Sequence, residues 1–141
     1  MQSSNAFLLN KIKSLLMKKG KSGDSEKLLL NTFRILYARG YSPLKVFTLA
    51  INNVKPLVEL KKKKIRGTLQ VIPRPIPVKS QLSKAIKLLI NSSKKINKPF
   101  CSALADEVVE SANRESHTFR ESQTLHKLAV QSKSFAHYRW L

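Results

Sequence analysis

The chain has 141 residues, of which 42% are hydrophobic, enough for one domain around one core and inconsistent with a disordered tail. Its 27 Lys and Arg against 8 Asp and Glu give a formal net charge of +19, and self-repulsion of that size disfavours a compact state unless a polyanion compensates it. Nucleic acid is the first candidate partner and an anionic membrane surface the second, while the lone Cys101 excludes an intramolecular disulfide and a CxxC zinc site and reads as a small buried thiol.

Leu8, Ile12, Leu15 and Leu16 recur at helical spacing among Lys11, Lys13, Lys18 and Lys19, and Gly20 suits the end of this first helix. The first 23 residues carry lysine, serine and an apolar stripe without an acid, as organellar targeting peptides do, but they lack arginine and read equally as a regular helix of the domain. No apolar run approaches the length of a membrane-spanning helix. A second helix is expected with Asp24 or Ser25 as its cap, Glu26 in its first turn, a stripe of Leu29, Phe33, Leu36 and Tyr37, and Gly40 as its stop. Ser42 followed by Pro43 opens a third helix, in which Val46, Phe47, Ala50 and Val54 face the core before Pro56 disfavours continuation.

The stretch from Lys61 to Lys79, KKKKIRGTLQVIPRPIPVK, breaks the helical pattern. Four lysines lead through Ile65 to a turn at Arg66-Gly67-Thr68, then to a run of β-branched residues and proline, which predicts an antiparallel hairpin arm over residues 58–79, Val58 to Ile65 pairing with Leu69 to Val78. Pro73, Pro75 and Pro77 alternate, so they remove donors from one edge only, and the arm is a two-stranded ribbon that resists a third strand. Such a ribbon needs a helical body to grow from and a partner to lie on. Lys61, Lys62, Lys63, Lys64, Arg66, Arg74 and Lys79 make that partner anionic, and no acid occurs between Leu60 and Ala105. A solvated lysine tether, and a PxxP ligand at Arg74 to Pro77, are the alternatives.

After the arm, Leu82, Ala85, Ile86, Leu89 and Ile90 keep strict helical spacing, with Lys84, Lys87, Lys94 and Lys95 on the opposite side, where they can meet phosphates. Lys98-Pro99 interrupts the chain before a helix with Leu104, Ala105, Val108, Val109 and Ala112. Asp106, Glu107 and Glu110, with Glu115 nearby, set this helix away from a polyanion, facing a basic neighbour. A last helix runs from about Phe119, with Leu125, Leu128, Ala129, Phe135 and Ala136 apolar, and ends in SFAHYRWL. The expected fold is mainly α, a single domain over residues 1–141 with a six-helix, bundle-like body and a protruding two-stranded arm.

Catalytic signatures are missing: there is no HExxH pair, no Gly-rich phosphate loop and no paired carboxylates on one face, and Glu121, His117 and His126 read as ordinary surface groups. No enzymatic activity, cofactor or metal is expected. At the end of the chain, Tyr138, Arg139 and Trp140 admit two readings, stacking on bases beside phosphate-bound guanidinium or docking aromatics into the core, and His137 either meets phosphate or ends the helix. The candidate nucleic-acid-binding set is therefore Lys11, Lys13, Lys18, Lys19, Lys61, Lys62, Lys63, Lys64, Arg74, Lys79, Lys84, Lys87, Lys94, Lys95, Lys98, His137, Arg139 and Trp140, to which the family resemblance below adds Arg120 and Lys127, with Ile65, Arg66, Gly67 and Thr68 at the hairpin tip.

These residues carry a resemblance. Phe135-Ala136-His137-Tyr138-Arg139-Trp140 matches the FAHYRW run of the small-subunit ribosomal protein seven family of bacteria and organelles, with His126 and Lys127 at that family's upstream histidine and following basic residue. Ala50, Asn53, Val54, Lys55, Pro56 and Glu59 match its A-x-x-N-V-[KR]-P-x-x-E segment; Gly67, Val71 or Ile72, and Pro73 fall where it has a glycine turn and a Q-V-P strand; Ala85 opens a helix similar to its A-x-R-W helix, and Leu104, Ala105 and Glu107 echo its L-A-x-E. The likeness runs from about Phe7 to Trp140. It implies a helical body with a protruding hairpin, binding to the 3′ major domain of small-subunit rRNA early in assembly of the head, contacts with neighbouring head proteins, and a hairpin tip toward the mRNA exit path and exit-site tRNA. Arg66 stands where the family has the first glycine of a paired-glycine turn, and Arg120, followed by Glu121, Ser122, Gln123 and Thr124, is what remains of its basic cluster before the last histidine. The bacterial N-terminal extension and the tail after the final Trp have no counterpart in this reading, so their contacts would pass to other proteins. Lysine richness with few Gly and Pro fits an AT-biased organellar coding sequence, which points to a mitochondrial ribosome, with a plastid or a bacterium as the alternative. The readings from other classes are an amphipathic peripheral membrane protein using helix one, and a free RNA-binding regulator.

Overall fold

The computed structural model describes residues 2–140, and the side chains of residues 5–138. At its centre is α5 (Phe100–Ala112), which packs against α2 (Ser22–Ala38), α3 (Pro43–Val54), α4 (Val78–Lys95) and α6 (His117–Gln131). Sequence explains the position: Ala103 and Ala105 let neighbouring helices approach closely, and Leu104 and Val108 fill the space between them, all four at 1% exposure or less. Around them lie Leu36, Phe47, Val54, Ala85, Ile86 and Leu89, and α1 (Gln2–Leu16) closes the cluster with Leu8, Ile12 and Leu16.

Several boundaries differ from expectation for local reasons. Left-handed backbone at Lys19 (φ +52°) and Gly20 (φ +75°) turns the chain sharply after α1, so α2 begins at Ser22 and neither Asp24 nor Ser25 caps it. Asp24 lies instead in the first turn, where its charge favours the helix dipole, and the Ser25 hydroxyl donates to the Ser22 carbonyl at 2.7 Å. Tyr37 is not part of the apolar stripe; it is 66% exposed because Leu36, one residue and about 100° away, occupies the core position with Thr32 and Leu29. Gly40 (φ +80°) does end α2, its N–H donating to the Tyr37 carbonyl while the Tyr41 N–H reaches the Leu36 carbonyl. Pro43 occupies the first helical position of α3 as expected. Cys101 is half-buried, its thiol donating to the Leu28 carbonyl.

Polar groups inside the body tie helix ends together. Asn53 Nδ2 donates to the Ser111 and Ala112 carbonyls (3.1 and 2.9 Å), two acceptors that the end of α5 leaves without helical partners. Glu107, 2% exposed, accepts from both the backbone N–H and the hydroxyl of Thr118, while the Ser116 hydroxyl accepts from the Phe119 N–H at 3.0 Å and from Ser111 Oγ at 2.8 Å. Those bonds start α6 at His117, two residues before the expected Phe119. The helix ends at Gln131 rather than running on: Lys133–Trp140 forms a separate 3₁₀ segment that packs along the arm, and Leu128 is 46% exposed. Serines at 132 and 134, poor at sustaining a helix interior, mark the break.

The arm is a hairpin of β1 (Val58–Ile65) and β2 (Thr68–Pro75) in antiparallel register, Val58 opposite Pro75 and Ile65 opposite Thr68. The second strand is shorter than predicted, because Pro77 stands at the N-cap of α4. Ile76 donates to the Leu57 carbonyl at 3.0 Å, which in steps of two makes 59/74, 61/72, 63/70 and 65/68 the hydrogen-bonded pairs. Pro73 and Pro75 therefore fall between those rungs with the nitrogen on the outer edge, so neither interrupts the ladder. The turn is Arg66-Gly67 with φ +49° and +84°, the two positive values of a type I′ hairpin.

Two consequences follow from these placements. Gly67→Ala is expected to weaken the arm by about 1 kcal/mol, since an L-residue is strained at this φ; amide exchange should quicken across β1 and β2 while the core helices keep their protection. Asp106 accepts from Arg39 Nη1 at 2.6 Å and Lys98 Nζ at 2.8 Å; burial raises its pKa, but those two cations together outweigh it and leave the carboxyl below its ordinary value of 3.8. Its folded pKa being the lower one, the stability it contributes is present above that ordinary value and disappears as pH falls through the depressed one. Asp106→Asn should cost about 1 kcal/mol near neutrality and flatten the acid side of a stability-against-pH curve below pH ~4.

Candidate nucleic-acid interface

Because neighbouring residues of a strand point to opposite faces, the four lysines divide two and two: Lys61 and Lys63 share a face with Ile72 and Gln70, and Lys62 and Lys64 share the other with Val71 and Leu69. The arm thus carries positive charge on both faces. Lys61, Lys62 and Lys64 are exposed and Lys63 is half-buried; at the tip Arg66, Gly67 and Thr68 are exposed and Ile65 half-buried. The Thr68 hydroxyl donates back to the Ile65 carbonyl at 2.9 Å and tightens the turn.

The base of the arm is secured by groups that sequence reasoning did not assign to it. Leu57 N–H donates to His126 Nε2 at 3.1 Å, and Ile76 C=O accepts from Gln81 Nε2 at 3.0 Å. Both atoms belong to the rung where the ladder ends. Glu59 is the other missed residue: it pairs with Lys84 of α4 and lies 3.7 Å from Lys61. Lys84 is therefore a half-buried brace between α4 and β1, not a member of a free lysine side. The signal was present, since Glu59 is the one acid beside the lysine run, but spacing alone does not show which lysine it meets.

Two more of the predicted set have internal carboxylate partners. Lys13 reaches Glu26 at 2.5 Å, and Lys98 shares Asp106 with Arg39, so the acidic face of α5 meets cations of its own chain. Lys11 is half-buried. Among the described residues, Lys18, Lys19, Lys62, Lys63, Lys64, Arg74, Lys79, Lys87, Lys94, Lys95, Arg120 and Lys127 make no ion pair, and all but Lys63 are exposed. At 3.6 residues per turn, Lys79, Lys87 and Lys94 fall within about 80° of one another around α4, a stripe roughly 22 Å long at 1.5 Å per residue. It starts at the foot of the arm and ends beside the turn that carries Lys18 and Lys19, because α1 packs on α4.

The chain's end lies along the arm and does not dock into the helical core. The 3₁₀ segment lies on β2 and α6, with Phe135 stacked near Tyr138 (centroids 6.4 Å apart) and His137 4.0 Å from Tyr138. His137 is exposed; the side chains of Arg139 and Trp140 lie outside the described residues. No group of three or more His, Cys, Asp or Glu among the described residues could hold a metal ion, and no described helix is long and apolar enough to cross a membrane. The apolar side of α1 formed by Leu8, Ile12 and Leu16 is buried in the core.

The sequence matches a known family. Residues 2–133 match the family described as Ribosomal protein S7p/S5e. The chain is 32% identical over 139 residues to small ribosomal subunit protein uS7c of Paulinella chromatophora, covering 96% of this chain and 88% of the relative. It is 30% identical over 136 residues to uS7 of Syntrophus aciditrophicus (95% and 87%) and 31% identical over 138 residues to uS7 of Mycoplasma genitalium (96% and 89%).

Glu59→Gln tests the brace at the arm's foot. It removes the charge that holds Lys84 and Lys61, and, with one partner of a half-buried pair gone, should cost about 1 kcal/mol. The measurable signature is faster amide exchange at Glu59 and Lys61, whose N–H groups donate across the ladder, and a wider range of arm orientations in scattering or relaxation data, with α5 unchanged.

Proposed function

The chain belongs to the Ribosomal protein S7p/S5e family, and on that premise we propose that it is a structural, non-catalytic protein of the small ribosomal subunit that binds the 3′ major (head) domain of small-subunit rRNA and nucleates assembly of the head. The observation that carries this reading is the distribution of unpaired cations: both faces of the arm, the α4 stripe and the α1–α2 turn, a surface set by elements that the core holds rigidly. Folded RNA offers phosphates at several levels at once, which suits a cationic ribbon standing on a cationic body. Lys62, Lys63, Lys64, Arg74, Lys79, Lys87, Lys94 and Lys95 are the residues assigned to phosphates, with Arg120, Lys127 and His137 flanking the arm. Lys61 takes part while sharing Glu59, and Ile65 to Thr68 lie toward the mRNA exit path and exit-site tRNA.

The ribosome is assigned to a mitochondrion, on the lysine-rich, glycine-poor composition with only 4 Gly; a plastid or bacterial ribosome is the alternative, and the relatives named above are compatible with those two. Sedimentation of native lysate separates the readings: the protein should travel with small ribosomal subunits of one compartment, whereas a free regulator would remain in the light fractions.

Binding of the purified chain to a transcribed 3′ major domain should weaken steeply with salt. Each phosphate contact contributes about 0.7 to 0.9 to the slope of log K against log salt, so Lys62→Ala with Lys64→Ala should lower the slope by roughly 1.4 to 1.8. Substituting Glu110, which is exposed on α5, should leave it unchanged. Equal effects from both changes would refute the assignment of the arm to the RNA.

A further inference from the structure

Between the α1–α2 turn, α2, the last turns of α4 and the start of α5 lies a groove of about 440 Å³, lined by Leu16, Leu28, Ile90 and Phe100 together with Lys18, Lys21, Lys94 and Asp24. The apolar residues are buried or half-buried and form the floor; the charged ones are exposed and form the rim. Neither the three lysines nor Asp24 has an ion-pair partner among the described residues. The volume falls in the range of sites that enclose a small organic group, roughly 300–1,000 Å³.

An apolar floor gives nothing to a phosphate, and a ring of lysines gives nothing to an apolar side chain. One ligand satisfies both: a planar base with phosphates on either side of it. We infer that the groove receives a single unstacked nucleotide of the bound RNA, its base against Leu28, Ile90 and Phe100 and its flanking phosphates held by Lys18, Lys21 and Lys94. This rests on the reading of the chain as an rRNA binder and adds to it a nucleotide subsite remote from the arm. The N-terminus of α2 opens at the same place with no side-chain cap on its amides, which supplies further donors to a phosphate oxygen.

Asp24 gives the subsite its selectivity. A carboxylate at the rim can only accept, so it favours a base edge that presents an exocyclic amino group, as cytosine, adenine and guanine do, over uracil, whose edge offers a single imide N–H between two carbonyl oxygens.

The test uses the full chain bound to the transcribed 3′ major domain of small-subunit rRNA. Ultraviolet crosslinking should join Phe100 or its neighbours to one nucleotide. Replacing that nucleotide with uridine should weaken binding about tenfold, the scale of one base-edge contact, and Asp24→Asn, at an exposed position, should shrink that penalty to about twofold because an amide can donate as well as accept. Binding with crosslinks confined to the arm, or a uridine penalty that Asp24→Asn leaves intact, overturns the subsite and leaves the rRNA reading standing. Crosslinks from Lys18, Lys21 or Lys94 to an acidic protein segment in intact subunits would give the groove to a protein and also overturn it. Failure of the wild-type chain to bind the domain at all would remove the rRNA reading itself.

Discussion

Scarcity of carboxylates organises this molecule: 8 acids stand against 27 cations, and the best placed of them face inward. Glu107 is buried against Thr118 at the start of α6, Glu59 joins β1 to α4, and Asp106 joins the end of α2 to the loop before α5. Partly exposed ion pairs are worth little energetically, about 0–1 kcal/mol each, so their effect is chiefly one of direction. They draw Lys13, Lys84, Lys98 and Arg39 onto the body, and the cations left over define the charged surface.

Much of this was legible because helix and strand impose different periods. The stripe from Leu82 to Ile90 gave α4 its buried face, and Pro43 and Gly40 marked helix boundaries with a fixed backbone geometry each. The alternating prolines identified the outer edge of β2 without any knowledge of its partner, since parity alone sends their nitrogens one way. What could not be read depends on groups that arrive from elsewhere in the chain. His126 is 69 residues from Leu57, and Asn53 is 58 from Ser111, so neither bond has a local signature. Lys84 has a surface lysine's spacing and is diverted by a single carboxylate on a strand. The final helix looked continuous because Leu128, Phe135 and Ala136 are all apolar, although the first is exposed and the other two belong to a 3₁₀ segment held by the arm. The groove above Phe100 was invisible for the same reason, being assembled from four elements none of which resembles a site alone.

The arm depends on the body more than its hydrogen bonding suggests. Two strands alone are marginal in water, and this pair ends at a rung whose two remaining polar groups are taken by His126 and Gln81. α6 and the 3₁₀ segment pack against opposite partners in the ribbon, β1 and β2 respectively. A ribbon clamped in that way keeps its direction, so under the proposed rRNA reading phosphate contacts along it would act as one rigid set and would not each repeat the entropy of ordering a loose chain.

Its two edges are protected by different means. On β2, prolines at 73 and 75 remove outward donors, and a third strand cannot add there. On β1 the outward amides belong to Val58, Leu60, Lys62 and Lys64, the positions between the hydrogen-bonded rungs, and nothing covalent blocks them. There the barrier is charge: another strand approaching Lys62 and Lys64 meets two unpaired ammonium groups, a recognised way of keeping sheet edges apart. A polyanion reverses the sign of that barrier. If the ribbon lies on rRNA as proposed, the lysines that discourage edge-to-edge pairing are the same ones that would draw it onto phosphate, so one feature of sequence would serve both ends.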